Sequence, residues 1–338
     1  MKALQSWLCT VLGYDDFSLV PASSDASFRR YFRVTPGNGG DSLIAMDAPP
    51  SRENSRPFVE VARALAGMGL NVPEIHAMDL EAGFLLLTDL GTRPYLNELN
   101  TATVERLYGD ALSALMTLQA CGEVEGCTLP PYDEVLLRRE MGLFGEWLLG
   151  KHLGVDLAPR WQRRLEQVFS VLVESALDQP QVWVHRDYHS RNLMIHGEHN
   201  PGILDFQDAV VGPVTYDLVS LLRDCYIDWP QPRVEEWALG YHDLAVQSGV
   251  LRERDEEWFL RRFDWMGVQR HLKAAGIFAR LNHRDGKPGY LGDIPRTLGY
   301  VADVAARYPE LRELGNLLEE FVFPALSGPS AMGADHRT

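Results

Sequence analysis

Between Val184 and Met194 the chain reads VHRDYHSRNLM, a concentration of polar groups between apolar ends. Counted from His185 the order is His-x-Asp-x-x-x-x-Asn, with Asp187 and Asn192 in one short loop, and Asp205 follows in ILDFQD. Phosphoryl transfer asks for such a set. It needs a carboxylate beside the attacking hydroxyl, and ligands for the metal ions that bridge the nucleotide phosphates and offset developing charge. Asp187 offers the first; Asn192 offers an amide oxygen and Asp205 a carboxylate, hard donors of the kind magnesium takes. A solvated polar turn is the alternative reading of the loop by itself. Its context argues for chemistry, because a second aspartate opens the turn after the next apolar segment and strands precede it.

The elements that must hold these groups fall into two compositional halves. From about residue 18 to 90 strands dominate: SFRRYFRV and SLIAMDA are separated by TPGNGGD, whose glycines Gly37, Gly39 and Gly40 suit a hairpin turn, and GFLLLTDLG is a further strand. Between them RPFVEVARALAGMGLNVP reads as a helix with Phe58, Val61, Ala62 and Leu65 on one stripe, ended by Gly67, Gly69 and Pro73. From about residue 100 helices take over. Val104, Leu107, Ala111, Leu115 and Leu118 give an apolar stripe, and further helices are expected near 134–150, 160–177, 215–226, 232–247, 255–281 and 309–322. The exception is 182–206, where VWV, LMI and GILDF read as short strands carrying the polar loop. The final SGPSAMGADHRT has no periodicity and reads as a frayed tail.

His-x-Asp-x-x-x-x-Asn followed by a strand and Asp is the catalytic-loop order of protein kinases. HRDYHSRN with ILDFQDAVVGPVTYDLVSLL resembles the aminoglycoside phosphotransferase and choline kinase superfamily, small-molecule kinases with a two-lobed protein-kinase-like fold. Within it, DFQDAVVGPVTYDLVSLLRDCYIDWP, SFRRYFRV and MDAPPSREN are similar to bacterial N-acetylmuramate/N-acetylglucosamine anomeric kinases, which phosphorylate the C1 hydroxyl of amino sugars recovered from the cell wall. The resemblance implies an α+β fold: a small antiparallel-sheet N-lobe (1–90), a larger mainly helical C-lobe (91–325) and a tail (326–338). It further implies ATP and Mg2+ as cofactors and a small sugar as acceptor. Asp187 would orient the hydroxyl, Asn192 and Asp205 would bind metal, and His185 would brace the loop. Asp217 matches a family aspartate that ties the loop to the following helix, or is simply a first-turn carboxylate favoured by the helix dipole. Two readings stay open beside this one: an aminoglycoside or choline-type acceptor, and a kinase-like nucleotide-binding module without catalysis.

The departures matter as much. Kinases of this fold carry a lysine on the third strand, where it pairs with the nucleotide phosphates. Here that strand reads SLIAMDAP, and the four lysines of the chain are Lys2, Lys151, Lys273 and Lys287. Either an arginine takes its place, with Arg29, Arg30 and Arg33 as candidates and Arg30 foremost, or the phosphate charge is met mainly by metal and backbone N–H groups; the arginine is favoured here, though each of the three reads equally as an exposed strand residue. The Gly-rich phosphate loop is missing too, so phosphate contact is assigned to ASSDAS, with Ser23, Ser24 and Ser27. LLLTDLG, ending in Asp89 and Leu90, takes the place of the interlobe hinge whose backbone would bind adenine, or is an edge strand. For the acceptor, Tyr188, His189, Arg191, Trp229 and Trp265 are candidates. Asp208 would contact metal or sugar, or cap the next turn. A lactyl carboxylate would need a positive partner, an arginine.

Composition bounds the rest. At 338 residues and 46% hydrophobic the chain can bury a substantial core, and a formal net charge of -15 argues against nucleic acid or anionic lipid as partners. Cys9, Cys121, Cys127 and Cys225 show no zinc-like spacing and read as buried free thiols, which fits a reducing cytoplasm. MKALQSWLCTVLGYDDF lacks a leader's apolar core and cleavage site, and no apolar run reaches the roughly 18 residues of a membrane helix, so neither export nor insertion is expected.

Overall fold

The computed structural model describes residues 1–23, 28–122, 124–197 and 199–327. The first 129 residues carry α1 (Lys2–Leu12), β1 (Phe17–Ser23), β2 (Arg30–Pro36), β3 (Leu43–Asp47), α2 (Arg56–Gly67), β4 (Ile75–Asp79), β5 (Phe84–Thr88), the one-turn α3 (Tyr95–Glu98) and α4 (Val104–Ala120). Next come α5 (Glu134–Leu143), continued by the π-helical stretch Phe144–His152, then α6 (Pro159–Leu177) and β6 (Gln181–Val184). Strands β7 (Leu193–Met194), β8 (Gly202–Ile203) and β9 (Val210–Pro213) lead into α7 (Tyr216–Leu222), α8 (Gln231–Gln247), α9 (Glu256–Asp285), α10 (Ile294–Arg307), α11 (Arg312–Leu317) and α12 (Phe323–Ser327). Two compact units result: Met1–Leu129 with His185–Ala209, and Pro130–Val184 with the chain from Val210 onward. Among the described residues no helix is long and apolar enough to cross a membrane.

The first unit is built on a five-stranded antiparallel sheet in the order β1-β2-β3-β5-β4. The β2–β3 hairpin has the expected glycine turn, where Gly39 takes a positive φ of 79° that its missing Cβ permits. Phe32 lies opposite Ala45, and Ala45 opposite Leu86, so these three share one face. Leu4 and Leu8 of α1 bury against that face together with Phe32, Val34, Ala45, Phe84 and Leu86. By strand alternation Tyr31, Arg33, Ile44, Met46, Leu85 and Leu87 point the other way. Strand β5 lies between β3 and β4 and is not an edge. Helix α2 buries Phe58, Val61, Ala62 and Leu65, the stripe read from the sequence, and α4 buries Val104, Leu107, Ala111, Leu115 and Leu118 in the same way.

The second unit is helical around α9, whose 30 residues are capped at both ends. The Asp255 carboxylate accepts the Trp258 N–H at 2.9 Å, and Gly286 closes the helix in the left-handed conformation. A Cβ at Gly276 would come within 2.4 Å of the Leu143 carbonyl carbon, so the glycine lets α9 and α5 touch backbone to backbone. Most expected helices stand within a few residues of their places, but 309–322 is broken into a 3-10 turn, α11 and a π-helical stretch. The sequence reading did not anticipate α1 or α10. Helix α1 fully buries only Leu4 and Leu8, and α10 follows the turn-like KPGYLGD with a proline in its first turn, where the missing N–H is harmless. All four cysteines are free thiols; only Cys225 is fully buried, the other three being half-buried.

Candidate active site

The polar loop belongs to the first unit and is held by its own backbone. The His189 N–H donates to the Asp187 carbonyl at 3.1 Å, and the Asn192 N–H to the His189 carbonyl at 2.9 Å, which wraps residues 187–192 into consecutive turns. Leu204 N–H then donates to the Asn192 carbonyl at 2.9 Å, joining the loop to the segment that carries Asp205. The β7–β8 pair, Leu193 opposite Ile203, closes the same connection. Proximity of Asp187, Asn192 and Asp205 is therefore written into main-chain bonds.

Asn192 is the centre of the three. Its side-chain N–H group donates to the Asp187 carbonyl at 3.0 Å and reaches the Asp205 carboxylate at 3.4 Å. The other carboxylate oxygen of Asp205 accepts from the Gln207 amide at 2.7 Å. All three predicted residues are half-buried, each open in part to solvent. Two of the backbone positions are strained: Arg186 has φ 76° and Asp205 φ 65°, left-handed conformations rare without glycine. Such outliers persist where surrounding bonds over-determine them, and they gather at working sites.

The donor chemistry suits a hard divalent cation. The Asn192 amide nitrogen is used on Asp187 and Asp205, so the part of this side chain that could serve a cation is its oxygen. Among the described residues no group of three or more His, Cys, Asp or Glu side chains gathers as a complete cage. One carboxylate and one amide oxygen, completed by substrate phosphates and water, is how magnesium is commonly held.

His185 is a brace. It is 2% exposed, its Nδ1 accepts the Asp187 N–H at 3.2 Å, and its ring packs edge-on against Tyr188 at 5.6 Å. Burial pushes the imidazole down to about 4 against the opposing pull of the Asp187 carboxylate, so it is neutral at physiological pH. Tyr188, expected against the sugar, is corrected to a core residue: its ring is fully buried and its hydroxyl donates to the Ala111 carbonyl at 2.8 Å. Trp265 is likewise buried, edge-on to Tyr308, and is no acceptor platform; Trp229 is half-buried beside Trp237. His189 is half-buried and Arg191 exposed. Asp208 is exposed in the turn after Phe206, where its carbonyl accepts from Arg186 at 3.2 Å. Asp217, fully buried in the first turn of α7, lies in the second unit.

On the sheet, the candidates separate. Ser24 and Ser27 lie outside the described residues, and Ser23 ends β1. Arg30 pairs with Asp47, its cross-strand partner. Arg33 forks onto Asp89, with Nη2 2.9 Å from Oδ1, and the Asp89 carboxylate also accepts Ser42 Oγ at 2.7 Å and the Gly91 N–H at 2.9 Å. Burial pushes the Asp89 carboxyl up, but the bonds from Arg33, Ser42 and Gly91 outweigh it and hold the group below the usual range. Its side chain is thus a pin, and Leu90 is buried so closely on Gly202 that a Cβ there would meet Leu90 Cδ1 at 3.0 Å. Sequence reasoning overlooked Gln207, Phe206 and Glu53. Gln207 and Phe206 stood beside Asp205 in DFQD. Glu53 lay among the charges of SREN and carried no signal.

The whole chain resembles known proteins. An N-acetylmuramate/N-acetylglucosamine kinase of Pseudomonas aeruginosa is 54% identical over 301 residues, covering 89% of this chain and 87% of the relative. A protein of the same name from Neisseria meningitidis is 43% identical, covering 94% of this chain and 95% of its own. Among solved structures, an ADP-bound aminoglycoside phosphotransferase superposes with a TM-score of 0.60 at 14% identity, covering 88% of this chain and 97% of that one. The choline kinase LicA from Streptococcus pneumoniae superposes with a TM-score of 0.61 at 12% identity, covering 89% and 98%. At such identities these two show the fold, the two-lobed α+β architecture of protein kinases. The phosphotransferase enzyme family matches residues 18–258, and to that family this chain belongs.

Proposed function

We propose that this protein transfers the γ-phosphate of ATP to the anomeric hydroxyl of N-acetylmuramate or N-acetylglucosamine. Relatives named as kinases of these two amino sugars align over about nine-tenths of the chain. The observation carrying the chemistry is the Asn192 amide, hydrogen-bonded at once to the Asp187 main chain and the Asp205 carboxylate. The sheet of residues 1–90 would cover the nucleotide, with the backbone at Asp89 and Leu90 facing adenine.

In this reading the Asp187 carboxylate orients the acceptor hydroxyl and takes its proton as the oxygen bonds to the γ-phosphorus and the bond to the β–γ bridging oxygen breaks, releasing ADP. Asn192 and Asp205 would hold Mg2+, which when bound neutralises charge on the phosphates. His185 keeps the loop in place by accepting the Asp187 N–H, and its neutrality leaves the carboxylate as the proton acceptor. Gln207 and Asn192 each donate to one oxygen of Asp205, which fixes the orientation of the carboxylate.

A panel of acceptors with Mg-ATP tests this directly, with the phosphate located on the product by phosphorus NMR. Phosphate at C1 of an N-acetylated amino sugar is the expected result. Product formed only from an aminoglycoside or choline would replace the acceptor assignment, and nucleotide binding without turnover on any acceptor would leave a binding module.

A further inference from the structure

We infer that Arg29, steadied by Glu53, is the cation that meets the nucleotide phosphates in place of the absent third-strand lysine. This rests on the reading of the chain as an ATP-using kinase.

Strand register and pairing separate the three arginines. Arg30 stands opposite Asp47, which stands opposite Phe84, and Phe84 belongs to the face packed on α1. Arg30 therefore emerges on the closed side of the sheet, its side chain 53% exposed and paired with Asp47. Arg33 is on the other face, but its Nε and Nη2 donate to the Asp89 carboxylate, and Nη2 also reaches the Gly91 carbonyl at 3.0 Å. Arg29 precedes β2 by one residue, outside the paired register, and its placement comes from Glu53. Tyr31 is paired with Met46 on β3, the strand that carries the lysine in protein kinases.

Glu53 gives that side chain a fixed place. One carboxylate oxygen accepts the Phe28 N–H at 3.1 Å, and the other lies 3.2 Å from Arg29 Nη2. The side chains are 10% and 16% exposed, so the pair is largely sheltered from solvent. A lysine–glutamate pair serves this purpose in kinases, where the acid holds the cation in register with the phosphates. Here the same two charges come from the start of β2 and the loop before α2. An arginine fork also donates to two phosphate oxygens at once, which a lysine does not.

Binding of ATP and of adenosine to wild type, Arg29→Ala, Arg29→Lys and Arg30→Ala tests the assignment by calorimetry, with thermal unfolding as the check on the fold. Arg29→Ala is expected to weaken ATP about tenfold or more while adenosine affinity stays within twofold, because only the phosphates meet the guanidinium. Arg29→Lys should recover part of the loss, and Arg30→Ala should change ATP affinity less than Arg29→Ala. Turnover should show the same split, with KM for ATP raised and KM for the sugar held. Equal loss of ATP and adenosine, ATP binding within twofold of wild type in Arg29→Ala, or a larger loss in Arg30→Ala overturns the assignment alone. Wild-type protein that binds neither ligand overturns the kinase reading and this assignment with it.

Discussion

The ring of Phe58 on α2 lies 4.9 Å from that of Phe206, centroid to centroid, at an inclination of 36°. Both are almost wholly buried, and Phe206 follows Asp205, so a helix of the sheet region packs on the residue next to the proposed metal ligand. Removing one ring leaves a cavity under that turn. Phe58→Ala should lower unfolding free energy by about 3 kcal/mol in urea titration, and Phe58→Leu by less. The Ala variant should also need more magnesium for half-maximal rate.

Asp187 and Asp205 should fail differently. Asp187→Ala is expected to cut kcat by about a thousandfold while ATP affinity persists, since this carboxylate is the proposed proton acceptor. Asp205→Asn should instead weaken ATP binding measured with magnesium and change it little without. Calorimetry with and without the metal separates them; loss of ATP binding in a folded Asp187→Ala protein would contradict this division of labour.

Acid should unfold the protein partly through two histidines. Burial holds the His185 imidazole at about 4 and His271 at about 3, against an ordinary 6.5. From pH 6.5 down to those values the unfolded chain carries protons that the folded chain does not. Stability therefore rises with pH across that window and is lost as pH falls. By about pH 5 the two together should cost on the order of 4 kcal/mol. Thermal unfolding of His185→Gln and His271→Gln against pH checks this, each variant flattening the acid limb.

The pin after β5 should be measurable. Asp89→Asn removes the charge that Arg33, Ser42 and the Gly91 N–H converge on, and should destabilise by about 1–2 kcal/mol, discounted because Arg33 is a quarter exposed. The depressed carboxyl contributes above its unfolded value and the contribution disappears as acid protonates it. The gap between wild type and variant in chemical denaturation should accordingly close at low pH.

Much of this was readable beforehand because it is local. The 187–192 turn bonds, the glycine hairpin and the α2 stripe depend on residues a few positions apart, and the order His185, Asp187, Asn192, Asp205 carries its meaning in the chain. What could not be read depends on parity and distance. Arg30 stood foremost among the arginines in the sequence, and the register with Asp47 puts it on the α1 side. Tyr188 looked like a sugar platform because it sits in the catalytic loop, whereas α4 claims its hydroxyl from 77 positions away. Asp89 reads as a hinge residue, yet its role as a pin is visible only with Arg33 beside it.

Arg186, with its φ of 76°, stands immediately before the proposed base. A non-glycine residue held there gives up roughly 1–2 kcal/mol relative to a relaxed backbone. Glycine at 186 would recover that strain and shed the guanidinium that reaches the Asp208 carbonyl. The same substitution thus removes a backbone cost and a side-chain hydrogen bond together, two changes that act on stability in opposite directions.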